Sequence, residues 1–208
     1  MTAVHWVLPD RPATLKYLTH AARTAEHLGF DGVVLPEGEG DPLVIAALLA
    51  TTTERLRFTV PADVAPEAVA TFRHYAGERL VLATAIESAS PPEIIGRAVR
   101  LHVISRDTSG EAWARARRLF AEPTASKLEV YPNLLARGDV LTLVGGHAEV
   151  ARRIEDYRDH GVEEFLLSGT PHLEEAYSFA EGVLPKLRKE KPRGHAVRAP
   201  SAEQSLAS

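Results

Sequence analysis

The chain has 208 residues, of which 45% are hydrophobic, with a mean hydropathy of -0.12, enough apolar material for one domain with a sizeable core. Its net charge of -4 gives no general attraction to nucleic acid or to an anionic membrane, so neither is expected as a partner. Cysteine is absent, which excludes disulfides, thiolate catalysis and cysteine metal sites. No apolar run approaches the roughly 20 residues of a membrane span, and no signal peptide is evident, so a cytoplasmic location is expected.

The composition changes near the end of the chain. Residues 188–208 are rich in Lys, Arg, Pro, Gly and Ser and hold few large apolar side chains. Such a composition cannot bury enough surface to order itself, and it predicts a disordered tail. A single folded domain is therefore expected over residues 1–187.

Short runs rich in Val, Ile and Leu alternate with amphipathic stretches along this domain. The runs predict six strands, at residues 4–8, 32–36, 56–60, 80–86, 99–104 and 165–167. The stretches between them predict six helices, at residues 13–28, 42–53, 67–75, 111–120, 148–160 and 173–187. Regular alternation of strand and helix favours right-handed βαβ units, and therefore an α/β fold with a parallel sheet.

Capping residues punctuate several of these helices. Asp41 precedes Pro42 as an N-cap before a first-turn proline, and Ser109 precedes the fourth helix. Gly29 and Gly161 each end a helix and are followed by an apolar residue, an acidic residue and a strand. A helix-to-strand unit used early and again late is typical of a (β/α) barrel, although other doubly wound folds also reuse it.

Several longer segments resemble the bacterial-luciferase-like flavin monooxygenases, and most of all the two-component FMNH2-dependent alkanesulfonate monooxygenases. The segment at residues 97–108, followed by Glu111-Ala112-Trp113, resembles their seventh strand and the helix after it. The segments at 143–146, 150–154 and 165–177 resemble the end of the same proteins, and those at 6–9, 29–36 and 53–58 resemble the beginning. The similarity extends in pieces over most of the domain.

This resemblance implies a (β/α)8 barrel that uses reduced FMN and O2 to cleave a carbon–sulfur bond, releasing sulfite and an aldehyde. It also implies a partner flavin reductase that supplies the FMN in reduced form. The Arg-x-His of the family's seventh strand lies in the active site, and it stands here as Arg100 and His102. An arginine fork suits a sulfonate or the flavin-bound oxygens, and an imidazole suits proton exchange near neutral pH.

The chain is nevertheless too short for a complete barrel. Such barrels need roughly 250 residues, with about 200 as a minimum, and the predicted domain has 187. Residues 87–96 alone separate the fourth strand from the seventh-strand motif, and ten residues cannot hold two strands and two helices. The expected fold is therefore a truncated TIM-type (β/α) barrel that lacks the fifth and sixth βα units, including the turn with which the family binds the flavin phosphate.

Other loops of the catalytic face also depart from the family pattern. The loop after the first strand is trimmed, the second-strand cysteine is replaced by an acidic loop containing Glu37, Glu39 and Asp41, and Thr170 replaces a tyrosine. The positions after the third and fourth strands change as well, to residues 61–63 and to Ala83, Ile86 and Glu87, and the lid between residues 120 and 141 is short. Three carboxylates at the mouth would repel a sulfonate or a phosphate, unless they form a merely solvated turn.

Each candidate residue also has a structural explanation. Arg100 and His102 face one way because strand residues alternate, and a buried arginine could simply pair with Glu37 or Glu87. Gly145 and Gly146 precede a helix and could bind a cofactor phosphate through free amides, a weak signal. No metal site is predicted, because the histidines show no metal-binding spacing, and His20 and His27 are expected at the surface. Glu174 and Glu175 are expected to serve the helix dipole.

Two hypotheses of function follow. The first is a shortened monooxygenase that acts on an organosulfonate or similar small molecule, and the retained Arg100 and His102 support it. The second is a non-catalytic flavin-binding or interaction protein, and the loss of the catalytic-face loops supports it. In either case the gap left by the missing units exposes strand edges, so a homo-oligomer, or a second subunit that covers the gap, is expected.

Overall fold

The computed structural model describes residues 2–9, 13–35, 40–83, 98–120, 134–137 and 140–188. The strands are β1 (Ala3–Val7), β2 (Gly32–Val34), β3 (Arg57–Pro61), β4 (Leu80–Ala83), β5 (Ala98–Arg106), β6 (Leu134–Arg137), β7 (Val140–Gly146) and β8 (Glu164–Ser168). The helices are α1 (Leu15–Leu28), α2 (Pro42–Ala50), α3 (Pro66–Ala76), α4 (Ser109–Leu119), α5 (His147–Asp159), α6 (His172–Gly182) and α7 (Leu184–Arg188). Each predicted strand and helix has a counterpart in the structure, but the last predicted helix is divided into α6 and α7, and residues 84–86 of the fourth predicted strand lie outside the described residues.

The described strands form one eight-stranded sheet in the order β4-β3-β2-β1-β8-β5-β7-β6. All pairs are parallel except β6 with β7, which is antiparallel. The series from β4 through β1 and β8 to β5 is the order of a (β/α) barrel in which β5 takes the place of the seventh strand. This confirms the predicted α/β fold and the position of the seventh-strand motif beside β8.

The sequence-based prediction of six strands was wrong in one region. Strands β6 and β7 come from the stretch expected to hold a shortened lid and a turn. β7 pairs with β5 in parallel, residues His102 to Arg106 lying opposite Thr142 to Gly146, and β6 lies beyond β7. These two strands therefore stand where the sixth and fifth strands of a complete barrel would stand, and β7 covers the edge of β5 that was expected to be open.

The main hydrophobic core lies between the sheet and the helices on one of its faces. Alternate residues of each strand enter this core, including Trp6, Val33, Phe58, Leu101 and Phe165, all of which are completely buried. The residues between them point to the opposite face, which we call the inner face, where Val7, Val34 and Leu166 form a small separate cluster.

Helix α4 packs on the inner face, unlike the helices that cover the main core. Its Ala112 and Ala116 pack with Ile104 of β5 and Val144 of β7 in a cluster separate from the main core, with Trp113 beside them. The right-handed crossover rule explains this position. The connection from β5 to β7 runs across the sheet in the direction opposite to those from β1 to β4, so its helix falls on the other face.

The caps agree with the sequence in most places. Asp41 Oδ1 accepts hydrogen bonds from the amides of residues 43 and 44, and Gly29 ends α1 with a φ of 86°, in the left-handed region. The N-cap of α4 is Thr108 rather than the predicted Ser109, because Thr108 forms a reciprocal capping box with Glu111. Arg188 was assigned to the tail but ends α7, and its guanidinium donates to the carbonyl of Gly29.

Candidate functional site

The two predicted catalytic residues lie together on the inner face of the sheet. Val99, Leu101 and Val103 of β5 enter the main core, so the intervening Arg100 and His102 face the other way. In the parallel register Arg100 lies opposite Leu166 and His102 lies opposite Ser168, both on β8. The structure thus brings the pair to the face on which a ligand inside a barrel would lie.

His102 is held by two neighbours. Its Nε2 lies 3.2 Å from the hydroxyl oxygen of Thr170, just after β8. Its ring also meets the ring of Phe120, which follows α4, at 6.2 Å between centroids and an interplanar angle of 64°. Thr170 stands where the resemblance places a tyrosine, and it keeps a hydroxyl within reach of the imidazole. Helix α4 and its Phe120 therefore form one wall of the site.

One donor atom of Arg100 has no partner in the part of the chain that the structure describes. Its Nε is buried and has no hydrogen-bond partner within the described residues. The carboxylates proposed as structural partners, Glu37 and Glu87, lie outside the described residues. A buried guanidinium N–H without an acceptor is costly, and an anionic ligand bound there would satisfy it.

A third polar residue of the inner face, His5 of β1, was missed in the sequence. Strand β8 lies between His5 and Arg100, and both residues are aligned with its Leu166. His5 is 1% exposed, its Nδ1 has no hydrogen-bond partner within the described residues, and burial holds its pKa below the ordinary value. Thr59 of β3, also on this face, has a buried hydroxyl for which no described residue is a hydrogen-bond partner. The signal for both was strand alternation, which places residues 5 and 59 opposite the core positions.

The carboxyl edge of β5 carries a second cluster of charged side chains. Arg106 binds both oxygens of the fully buried Glu175, at 2.6 and 2.7 Å, and also binds Glu174 at 3.1 Å. These carboxylates raise the pKa of the Arg106 guanidinium. Arg115 of α4 reaches Glu174 at 2.8 Å. Glu175 therefore does more than serve the dipole of α6, since it ties β5 and α4 to that helix.

His172 belongs to a polar cluster at the end of β1. Its Nε2 accepts from Trp6 Nε1 at 2.9 Å in one tautomer and lies 2.9 Å from the carbonyl of Val7, a contact that suits the other tautomer. Its Nδ1 is 3.4 Å from the hydroxyl of Tyr17. Burial lowers the pKa of His172, so the ring is neutral at pH 7. This cluster joins α1 and α6 to β1.

Gly145 and Gly146, predicted as a weak phosphate site, form the end of β7. The amide of Gly146 donates to the Glu149 carboxylate at 2.9 Å, in the first turn of α5. That amide is therefore engaged within the chain, beside a negative charge. A phosphate-binding role for the two glycines stays a prediction.

Only part of the acidic loop expected after the second strand lies within the described residues. Asp41 caps α2, so its carboxylate is directed to the helix amides. Glu37 and Glu39 lie outside the described residues. Within the described ranges no group of three or more metal-binding side chains occurs, and no helix has the length and apolar character needed to cross a membrane.

Comparison with known proteins agrees with the resemblance. Residues 1–82 match the family model of the luciferase-like monooxygenases. The resemblance predicted from the motifs is thereby confirmed at the level of the luciferase-like class. The alkanesulfonate subclass rests on the motifs alone.

Solved structures extend the likeness to most of the chain. A riboflavin lyase, determined with modified FMN and riboflavin, matches with a TM-score of 0.63 and 13% identity, over 90% of this chain and 91% of that chain. A long-chain alkane monooxygenase (LadA) gives 0.60 and 12%, over 90% and 91%. A coenzyme F420-dependent tetrahydromethanopterin reductase from Methanopyrus kandleri gives 0.59 and 10%, over 90% and 99%. At these identities the likeness shows the fold, a luciferase-like α/β barrel type in short form.

Proposed function

We propose that this protein is a flavin-dependent monooxygenase of the luciferase-like class, using reduced FMN and O2 to oxidise a small organosulfonate or a similar anionic molecule. The observation that carries the proposal is the pair Arg100 and His102 on the inner face, with a buried Arg100 Nε that finds no acceptor among the described residues. The match of residues 1–82 to luciferase-like monooxygenases supports the same class of chemistry.

Arg100 would bind the anionic group of the substrate. A guanidinium presents two parallel N–H donors to sulfonate oxygens, and in a site shielded from water such charge-assisted bonds are strong. Its backbone lies on β5, between β7 and β8, so the strand is fixed on both sides. The position of this cation is therefore set by the sheet rather than by a loop.

His102 would hold or move a proton beside that anion. Its Nε2 lies within reach of the Thr170 hydroxyl, which can accept from an Nε2–H or donate to an unprotonated Nε2. The Phe120 ring packs against the imidazole and restricts its movement. The pair is thus suited to general acid–base work at a fixed place.

The inner face also fits a polar cofactor. Buried donors and acceptors on β1, β3 and β5 lack partners within the described residues, namely His5 Nδ1, Thr59 Oγ1 and Arg100 Nε. A flavin ring system carries both donors and acceptors and could satisfy such groups. When bound, reduced FMN would supply the two electrons that activate O2. A flavin reductase is the proposed partner that delivers it.

The test measures flavin binding and product formation together. Fluorescence titration with FMN, oxidised and reduced, is combined with a sulfite-release assay on short alkanesulfonates. We expect saturable binding of reduced FMN and sulfite release, with Arg100→Ala raising the KM for sulfonate by about tenfold or more. We expect His102→Gln to lower kcat by about 100-fold.

Arg117→Ala, which removes an exposed arginine of α4, is the matched control and should leave both parameters unchanged. Absence of saturable FMN binding in either redox state would remove the enzyme hypothesis. The remaining hypothesis would then be a flavin-independent interaction protein.

A further inference from the structure

One face of α1 carries a row of cationic and imidazole side chains outside the candidate site. Lys16, His20, Arg23 and His27 follow one another at intervals of four, three and four residues, which places them on a single helical face. All four are exposed. Together with Tyr177 of α6 they line a surface groove of about 540 Å³, and we call this the α1–α6 groove.

The groove has no negative charge in its lining. Thr19 and Thr24 complete its walls, so the polar groups that it offers are cations, imidazoles and hydroxyls. None of the four basic or imidazole side chains forms an ion pair or a side-chain hydrogen bond in the described part of the chain. Glu181, one turn after Tyr177 on α6, forms no ion pair with them either.

Ion pairing among the described residues does not explain such a row. Its formal charge at pH 7 comes from Lys16 and Arg23, which lie two helical turns apart, and α1 has no acidic residue in its first turn. The protein as a whole is acidic, with a net charge of -4, so the row runs against the overall composition. An anion in the groove would give both cations a partner.

We propose that the α1–α6 groove binds an acidic, extended segment of a partner protein. From Lys16 to His27 the row rises by about 16 Å along the helix axis. Alternate side chains of an extended chain point to the same side at intervals of about 6.6 Å, close to one helical turn of about 5.4 Å. A segment with a carboxylate at every second residue therefore matches the row, and the Tyr177 hydroxyl can donate from the other wall.

The row does not converge on one point, which distinguishes it from a site for a single phosphate. Phosphate sites gather several donors around one anion, whereas these four groups are spread along the groove. The inner face is a different surface, because α1 packs on the side of the main core. Binding in the groove is thus independent of the candidate active site.

The experiment uses two fluorescent peptides of the same composition, in which the glutamates either alternate with threonines or stand together in one block. One is Glu-Thr-Glu-Thr-Glu-Thr-Glu, and the other is Thr-Thr-Thr-Glu-Glu-Glu-Glu. Fluorescence anisotropy with the full chain at low salt is expected to show saturable binding of the alternating peptide, at least threefold tighter than the block peptide. The double variant K16Q/R23Q is expected to weaken that binding by about tenfold.

The matched control is R117Q/R118Q, which removes two exposed arginines from α4 and the same amount of charge. It should stay within twofold of the wild type. Equal losses in both double variants, no preference between the peptides, or no saturable binding at all would overturn the proposal. Tighter binding of a single-stranded oligonucleotide than of the alternating peptide would also overturn it, in favour of a nucleic-acid surface.

Discussion

The residues that matter most on the inner face carry buried polar atoms for which the described part of the chain supplies no partner. Arg100 was recognisable from its motif, whereas His5 and Thr59 were not, because neither belongs to a motif. Their burial depends on the register of three neighbouring strands, which a single sequence does not reveal. Alternation alone gave the correct face, but it could not show that the face is closed from water at these positions.

The contact between Gly32 and His5 gives a prediction at this scale. A Cβ at position 32 would lie 2.5 Å from His5 Nδ1 and 2.7 Å from the carbonyl oxygen of Arg57. Gly32→Ala should therefore destabilise the protein by about 1–3 kcal/mol, because the backbone of β3 must shift. Urea denaturation measures the loss. Gly110→Ala is the control, since nothing lies within 4 Å of that Cβ, and equal stabilities of the two variants would contradict the structure.

Buried histidines predict a dependence of stability on pH. Burial lowers the pKa of His5 and of His172, whereas both take up protons near the ordinary value of about 6.5 when the chain unfolds. The unfolded state then binds more protons below that pH, so the free energy of unfolding should fall as the pH drops from 7.5 to 5.5.

For His5 alone the loss falls in the pH range between its lowered pKa and about 6.5, and one proton can contribute at most about 1.4 kcal/mol per pH unit there. Urea denaturation at several pH values measures this slope. His5→Gln removes one titrating group and should make the slope shallower, whatever its effect on stability at pH 7.5. An unchanged slope would show that His5 takes up its proton equally well in the folded state.

Among the elements, α4 has the most unusual position. It packs on the inner face because its crossover runs opposite to the others, and it is tied to α6 by charges rather than by apolar contacts. Arg106 of β5 and Arg115 of α4 both bind the carboxylates that begin α6. The position of the Phe120 wall beside His102 therefore depends on this ion-pair cluster.

Breaking the cluster should cost stability. Glu175→Leu leaves Arg106 without its bidentate partner, while the arginine stays largely buried at 20% side-chain exposure. We expect a loss of about 3 kcal/mol by urea denaturation, since the fully buried carboxylate is lost and Arg106 keeps Glu174, whose side chain is about half exposed, as its acidic partner. The double variant Arg106→Met/Glu175→Leu should recover much of it. Additive losses in the double variant would show that the two side chains act independently.

At the scale of the whole molecule, the sheet has two more strands than the sequence predicted. Strands β7 and β6 occupy the positions of the sixth and fifth strands of a complete barrel, so β5 pairs with a strand on both sides. Within the described residues β4 and β6 pair on one side each. The edge of β5 is covered, but two other strand edges remain, so the oligomer or second subunit expected from exposed edges stays a prediction. Another surface also supports self-association.

That surface is the outer side of α2 and α3. From Pro42 to Ala50, α2 contains no polar residue, and Val44 and Leu48 remain 56% and 46% exposed. A groove of about 400 Å³ runs between the two helices, with Asp41 and Arg79 among its lining residues. A helix that is apolar on all sides is normally covered, and a second copy of the chain packed against this face would cover it.

We therefore predict a mass above the 22.6 kDa monomer by light scattering at micromolar concentration. Leu48→Glu should shift the protein towards the monomer, because it places a charge in the apolar contact. The control is Leu15→Glu on α1, which is exposed to a similar degree, 48%, but lies outside the groove. A monomeric wild type, or equal effects of the two variants, would contradict this interface.

The sequence by itself determined the alternation of strands and helices, the caps at Gly29 and Asp41, and the Arg100–His102 pair, because these depend on neighbours along the chain. Tertiary structure decided what depends on distant pairing. It placed β7 beside β5, put α4 on the inner face through the direction of its crossover, and buried His5 and Glu175. Register and packing join residues far apart in sequence, and no local pattern contains that information.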